Sequence, residues 1–291
     1  MSDIPLFDEL WDYNQPAETE ERLRVLLPQA EAGADRSFHV QLLTQIARTH
    51  GLRQQFETAH SLLDEAEQLL LGDLFTARVR VLLERGRLLN SSRTADRGHA
   101  LFHEAWHLAL AAQLDFYAID AAHMLGIASE TPEQQLDWNL KAMQLAERTQ
   151  HGRSKQWLGS LYNNIGWTYH GMGQYEQALT IFERAREYYA QSDNLGRFRI
   201  ARWCVARTYR SLGRVTEALA MQETLLAECD TDDEAGYILE EIAECLLTLD
   251  RKAEAQPYFG RAYTILSQDI WLKAHEAERL ARLKSLWQVD L

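Results

Sequence analysis

The chain has 291 residues, 46% of them hydrophobic and 25% charged, with a formal net charge of −13. That much apolar material excludes wholesale disorder, and 15 Gly with 5 Pro, against the ~20 and ~15 of average usage, excludes a turn-rich sandwich or barrel and favours helices. The acidic balance excludes the overall basic surface that phosphate backbones select, no apolar run approaches the ~20 residues of a membrane span, and no basic-then-apolar leader opens the chain, so a soluble cytoplasmic protein is expected.

In chain order, residues 4–34 read as a helical pair broken near Asn14-Gln15-Pro16. Its second helix, Glu18 to Glu31, carries Leu23, Leu26 and Leu27 on one side, with a kink expected at Pro28. A recurring pattern then begins with Leu43, Ile46-Ala47, Phe56, Ala59, Leu63 and Ala66. It returns 39 residues on as Leu82, Gly86, Leu89, Gly98, Phe102 and Ala105, and again 40 further on as Leu125-Gly126 and Ala142. The turn of this third unit is three residues shorter. There Thr131-Pro132-Glu133-Gln134 supplies a helix start, with Thr as N-cap and Pro at the first helical position.

The fourth unit is the clearest: Tyr162, Ile165-Gly166, Tyr169, Gly173, Tyr175, Ala178, Phe182 and Ala185. Tyr162, Ile165 and Tyr169 share one helix face; Gly166 and Ala178 are small where two helices cross; Gly173 suits a left-handed helix end. Val205-Ala206, Tyr209, Gly213 and Ala218 continue the pattern, and Ile242-Ala243, Leu246, Ala255, Phe259 and Ala262 complete a sixth copy. Residues 270–288 read as one amphipathic helix with Trp271, Leu280, Leu283 and Trp287 as its expected inner face. Cys204, Cys229 and Cys245 form no C-x-x-C and read as reduced thiols packed as small apolar residues.

Six copies in register at 37–40 residues resemble the tetratricopeptide repeat, in the longer-period form of kinesin light chains and many bacterial regulators. The resemblance implies an all-α, right-handed superhelical solenoid of helix-turn-helix hairpins, a single domain over 1–291. Residues 4–34 would form the N-terminal cap, 40–268 the six repeats and 270–288 the C-terminal capping helix.

The sharpest chemical string is His103-Glu104-Ala105-Trp106-His107, an H-E-x-x-H that on a helix could place two ligands and a base at a zinc ion, with His99 one turn earlier. It falls on the second helix of a repeat, at positions expected to face solvent, and the metzincin continuation is missing because Leu110 and Gln113 stand at its Gly and His positions. No phosphate-binding loop, dinucleotide fingerprint or nucleophile elbow is present, and no cofactor is expected. A zinc-dependent hydrolase at 103–107 is the catalytic alternative to a non-enzymatic protein.

In the family the first helix of each repeat lines a concave groove. Its offsets here give Arg48, Arg80 and Arg87, then Asp120 and Glu130, then Asn163, Trp167 and His170, then Trp203, Arg207 and Arg210, then Glu240 and Glu244. Aromatic anchors, an Asn for a peptide backbone and Arg for a carboxylate suit an acidic or C-terminal peptide. The expected contacts are Arg48, Arg87, Asn163, Trp167, His170, Trp203, Arg207 and Arg210, on a scaffold that binds a peptide or protein segment. The two tryptophans have a second reading as core residues. The family's two-carboxylate clamp is not reproduced, since Ile200 and Cys204 stand where basic residues belong. Asp120, Glu130, Glu240 and Glu244 interrupt the basic track that nucleic acid would need. Homo-oligomerisation through exposed ends is the remaining structural alternative.

Overall fold

The structure, a computed structural model, describes residues 9–91, 95–229 and 232–288, with the side chains of 95–97 and 232–234 excepted. Residues 4–8 of the expected cap lie outside the described residues. Every regular element among the described residues is a helix, and none is long and apolar enough to cross a membrane. The chain divides into two compact units, Met1–Leu161 and Tyr162–Leu291.

In the first unit, α1 (Pro16–Arg24) and α2 (Leu27–Ala32) precede three hairpins. These are α3 (Arg36–Leu52) with α4 (Phe56–Gln68), α5 (Phe75–Ser91) with α6 (Ala95–Ala111), and α7 (Asp115–Ala128) with α8 (Pro132–Arg148), followed by the single turn α9 (Gly152–Lys155). Helix α10 (Leu158–Gly171) leads into the second unit. There α11 (Tyr175–Ala190) is followed by α12 (Leu195–Ser211) with α13 (Val215–Ala227) and α14 (Asp232–Thr248) with α15 (Lys252–Leu266), and the chain closes on α16 (Ile270–His275) and α17 (Ala277–Trp287). Within each unit successive hairpins pack side by side: α3 lies against α5 and α5 against α7, and α12 lies against α14. This is a helix-turn-helix solenoid, in which each hairpin covers the apolar face of the next.

The small residues of the pattern sit where helices cross. A Cβ on Gly86 would lie 2.5 Å from Cε1 of the fully buried Phe102, and one on Gly166 would lie 2.7 Å from Cδ1 of the fully buried Phe182. The hairpin turns share one device. Two residues before the second helix, Gln54, Gly173, Gly213 and Asp250 adopt φ of 61°, 74°, 78° and 58°. The next amide donates back to the carbonyl five residues earlier, as in Gln174 N to Tyr169 O at 2.9 Å and Arg251 N to Leu246 O at 2.9 Å. Orphan helix-end carbonyls are satisfied this way. Glycine is the residue that reaches this conformation without strain, yet Gln54 and Asp250 also occupy it, so two of these turns carry no glycine signal. The shortened third turn starts α8 as expected: the Thr131 side chain accepts from Gln134 N at 3.3 Å and Pro132 occupies the first turn.

Both ends depart from expectation in the same way. The single N-terminal helix over Glu18–Glu31 is two helices, interrupted at Val25–Leu26, with Pro28 in the first turn of the second where its missing N–H costs nothing. The single helix over 270–288 is broken at Glu276, whose φ of −127° leaves the helical region. The break resets the helical phase, so the expected face is only half right. Leu280 and Leu283 are buried, Trp287 is 40% exposed and Trp271 is 57% exposed, while Leu272 is 1% exposed in its place. Asp269 fixes this register by accepting from Trp271 N and Leu272 N at 2.7 and 3.1 Å. Leu272→Ala is therefore expected to cost about 2–4 kcal/mol, and Trp271→Ala less than about 0.5 kcal/mol, read from denaturant midpoints; equal losses would contradict the break.

Candidate functional site

In the first unit, the wall formed by α3, α5 and α7 is built from charge pairs. Arg80, Glu84 and Arg87 share one face of α5 by their spacing. Arg48 from α3 and Arg87 both donate to Glu84 Oε1, at 3.0 and 2.6 Å, and Arg87 also donates to Asp120 on α7. Arg80, 4% exposed, donates from Nε to the Tyr117 hydroxyl at 2.8 Å. Burial by itself raises the pKa of the Asp120 carboxyl; Arg87, with a smaller part from Arg48, outweighs it and holds the carboxyl below the usual range. Arg48 and Arg87 are thus brought together, but as two arms on one carboxylate rather than as unpaired cations.

The segment ahead of α1 completes this wall. The rings of Trp11 and Tyr13 stack with centroids 4.8 Å apart and planes 13° apart. The Arg48 guanidinium lies 5.8 and 5.4 Å from their centroids, and Trp11 Nε1 donates to Gln45 at 3.0 Å. Opposite them, Trp157 lies against Phe116 and His123, and the Arg153 guanidinium sits 3.8 Å from the Phe116 ring centroid. Trp11, Tyr13, Arg48, Phe116, Arg153 and Trp157 line a cavity of about 340 Å³. Nothing in the repeat pattern signals Trp11, Tyr13 or Trp157, because all three lie outside the repeated helices.

In the second unit, Trp167 and Trp203 face each other with centroids 5.9 Å apart. Each is half-buried. Trp167 packs edge-on against Phe182 and His170, and Trp203 against Tyr237, whose carbonyl accepts from Trp203 Nε1 at 3.3 Å. Their inner edges join the cluster around Ala178, Phe182, Cys204 and Val205, as the core reading expects, and their outer edges remain accessible. Asn163 accepts a weak bond from the Cys204 thiol at 4.0 Å. His170 Nε2 and Arg207 Nη1 meet at the Ser211 hydroxyl, both at 2.9 Å. Burial first, and then Arg207 and Arg210, lower the His170 pKa to about 4, so its imidazole is neutral at physiological pH.

Arg207 and Arg210 do not present free guanidinium groups either. Both converge on Glu241, which is 5% exposed: Arg207 Nε at 2.8 Å, Arg210 Nε and Nη2 at 2.8 and 3.0 Å. Glu240 and Glu244, expected as open acidic wall residues, are covered by Arg279 and Arg282 of α17. Sequence reasoning missed these partners. The signal was present: the pairs Arg48–Glu84, Arg87–Asp120, Arg210–Glu241, Arg279–Glu240 and Arg282–Glu244 are separated by 36, 33, 31, 39 and 38 residues, close to one repeat length.

On α6 the three histidines form a row, with ring centroids of His99 and His103 5.2 Å apart and of His103 and His107 5.8 Å apart. His107 is exposed, but His103 is half-buried with its ring edge-on to Trp138 at 5.0 Å, a correction to the solvent-facing expectation. Burial, then His99, His107 and Lys141, lowers the His103 pKa. Among the described residues no group of three His, Cys, Asp or Glu side chains is arranged to hold a metal ion. The three cysteines are free. Burial raises the thiols of Cys204 and Cys245 to about 12, which makes them poor nucleophiles.

Residues 134–191 match the family model of the tetratricopeptide repeat. No curated protein shows a significant sequence match to the chain. Solved structures share the fold at low identity. BtubC (BKLC) from P. vanneervenii matches with a TM-score of 0.60 at 15% identity, over 76% of this chain and 90% of that one. The apo form of RapI matches with 0.67 at 11%, over 91% and 76%. The quorum sensor NprR from B. thuringiensis matches in its apo form with 0.65 at 15%, over 98% and 81%. NprR in complex with its cognate peptide NprX matches with 0.50 at 15%, over 96% and 81%.

Proposed function

We propose that this tetratricopeptide-repeat chain is a non-catalytic, cytoplasmic interaction scaffold that binds a peptide or protein segment along its first-helix wall. The observation that carries the reading is the row of half-buried side chains on α10 and α12. Asn163, Trp167, His170 and Trp203 keep accessible polar or aromatic edges, while Ser211 and Glu241 fix His170 and Arg207 in place. Such a wall is pre-ordered, so binding costs it little conformational entropy. A peptide-bound structure of NprR, with the same fold over 96% of this chain, lends support. The neutral His170 and the Glu241-paired arginines narrow the ligand. They favour a segment that hydrogen-bonds to donors already oriented over one that must supply every counter-charge.

Selection from a random-peptide library tests this. Reversing both arginines to Glu is too severe a variant, because it would strand the buried Glu241 beside two more carboxylates. Asn163→Ala with Arg207→Gln is milder, since Arg210 still holds Glu241. Enriched peptides are expected to bind this variant at least tenfold more weakly, at an unchanged denaturant midpoint. Equal binding would move the contact elsewhere. A library without binders, together with self-association in light scattering, would favour the homo-oligomerisation alternative.

A further inference from the structure

The second unit has a cavity of about 430 Å³ between α12 and α14, the first helices of two successive hairpins. Ile200 and Trp203 line it from α12, Tyr237 and Ile238 from α14, and Cys229 from the turn after α13. The surface facing it is almost entirely apolar. Trp203 Nε1 donates to the Tyr237 carbonyl at 3.3 Å, and the Cys229 thiol donates to the Leu225 carbonyl at 3.4 Å. The charged residue of the lining, Arg199, donates from Nη1 to the Glu228 carbonyl at 3.0 Å. Ile200 is 48% and Tyr237 38% exposed. A lone exposed apolar side chain needs no explanation, whereas a concave group of them marks a contact surface. The cavity also continues the wall proposed above to bind a peptide. Trp167, Trp203 and Tyr237 run from α10 to α12 to α14 at centroid spacings of 5.9 and 6.2 Å, and Trp203 belongs to both the row and the cavity.

We infer that this cavity receives an uncharged aromatic side chain, phenylalanine in type, from the segment the scaffold binds. The inference rests on the scaffold reading and names the side chain that gives it specificity. The lining selects this occupant in three ways. A charged or amide group would lose its water against apolar walls and gain little in exchange. The rings of Trp203 and Tyr237 stand 74° apart, so an incoming ring meets the edge of one and the face of the other. Cys229 adds a polarizable sulfur, a favourable neighbour for an aromatic ring. The bond from Trp203 Nε1 to the next helix holds the indole in place before the ligand arrives, so little side-chain freedom is lost on binding. The volume lies within the range of ligand pockets and admits a whole phenyl ring.

Cys229 supplies a reporter inside the cavity. Cys204 and Cys245 are 1% and 0% exposed, so alkylation of the folded chain by iodoacetamide, followed by mass spectrometry, reads Cys229. A ligand the size of N-acetyl-phenylalaninamide reaches about millimolar affinity at best, so at about 10 mM it should slow that alkylation about threefold or more. N-acetyl-serinamide should leave the rate unchanged. Ile200→Lys, at an exposed helix position, should abolish the protection at an unchanged denaturant midpoint. In the peptides enriched from the random library, replacing the aromatic residue by Ser should weaken binding to the parent chain about tenfold or more, and binding to Ile200→Lys less than about twofold. No protection, or equal protection by the two amides, would overturn the inference. Enriched peptides indifferent to the loss of an aromatic residue would overturn it and leave the scaffold reading intact. Protection by N-acetyl-phenylalaninamide with no peptide enriched would sink the scaffold reading and replace the peptide side chain by a free aromatic molecule. Protection of Cys229 that rises with protein concentration alone would make a second copy of the chain the occupant, and would equally overturn the inference.

Discussion

Gly166→Leu is expected to lower the stability of the second unit by about 3 kcal/mol or more, at the upper end of overpacking losses. Its cause is local. Gly166 on α10 faces the ring of Phe182 on α11, and a Cβ alone would lie 2.7 and 2.8 Å from two of its carbons. Phe182 is fully buried and sits in the cluster with Ala178, Cys204 and Val205, so it has no exposed space to swing into. The hairpin must open, and with it the seat of α12. Because stability in a solenoid is summed over neighbouring repeats, the loss should be felt most by the hairpins beside the mutation. Hydrogen exchange should show lost protection in α10–α12 with α3 and α4 little affected. Adding Phe182→Leu to Gly166→Ala should recover about 1 kcal/mol relative to the sum of the single changes, since the two sites touch. Strict additivity would place the clash elsewhere. Gly86 opposite Phe102 repeats the arrangement in the first unit, and Gly86→Leu should behave alike.

That pair of crossings explains why the fold was readable from the sequence. A glycine followed sixteen residues later by a phenylalanine occurs at 86/102 and at 166/182, and the spacing is set by one helix, one turn and the return. Thr131 was readable for a similar reason, because a cap bonds three residues away. Failures began where information was not local or not periodic. Gln54 and Asp250 occupy the left-handed turn position although neither is glycine; the hairpin imposes the conformation and their side chains tolerate it. A continuous helix puts Trp271 on the inner face, and the break at Glu276 hands that place to Leu272. The helix offsets name the residues of each first helix but not the partners of their charges. Arg48, Arg87, Arg207 and Arg210 are each held by a carboxylate about one repeat away. A helix offset identifies a face; it carries no information about the face opposite. Trp11 and Tyr13 lay beyond reach altogether, because a loop residue stacked on Arg48 from more than thirty positions away leaves no trace in any period.

The charge network of the first unit sets the second large effect. Arg87→Met should destabilise the chain by about 3–5 kcal/mol at neutral pH, the range for breaking one partner out of a buried ion pair. Arg87 bridges Glu84 and Asp120, whose side chains are 6% and 10% exposed, and its removal leaves Asp120 without its principal counter-charge. Arg48 still reaches Glu84, so most of the penalty falls on Asp120. This makes the loss pH-dependent with a determinate sign. In the parent chain the Asp120 carboxyl titrates below its ordinary value. It therefore adds stability above the unfolded pKa, and that stability is lost as pH falls through the lower folded pKa. Without Arg87 the burial that raises the Asp120 pKa is no longer outweighed, and the ionised carboxylate becomes the destabilising form. Protonation then relieves the variant while it still weakens the parent. The difference between the two should shrink from neutral pH to pH ~4, to half or less, and Asp120→Leu added to Arg87→Met should recover part of the loss at pH 7. Denaturant midpoints at the two pH values decide it. A pH-independent difference would mean that Arg87 stabilises this wall through packing of its stem rather than through its charge.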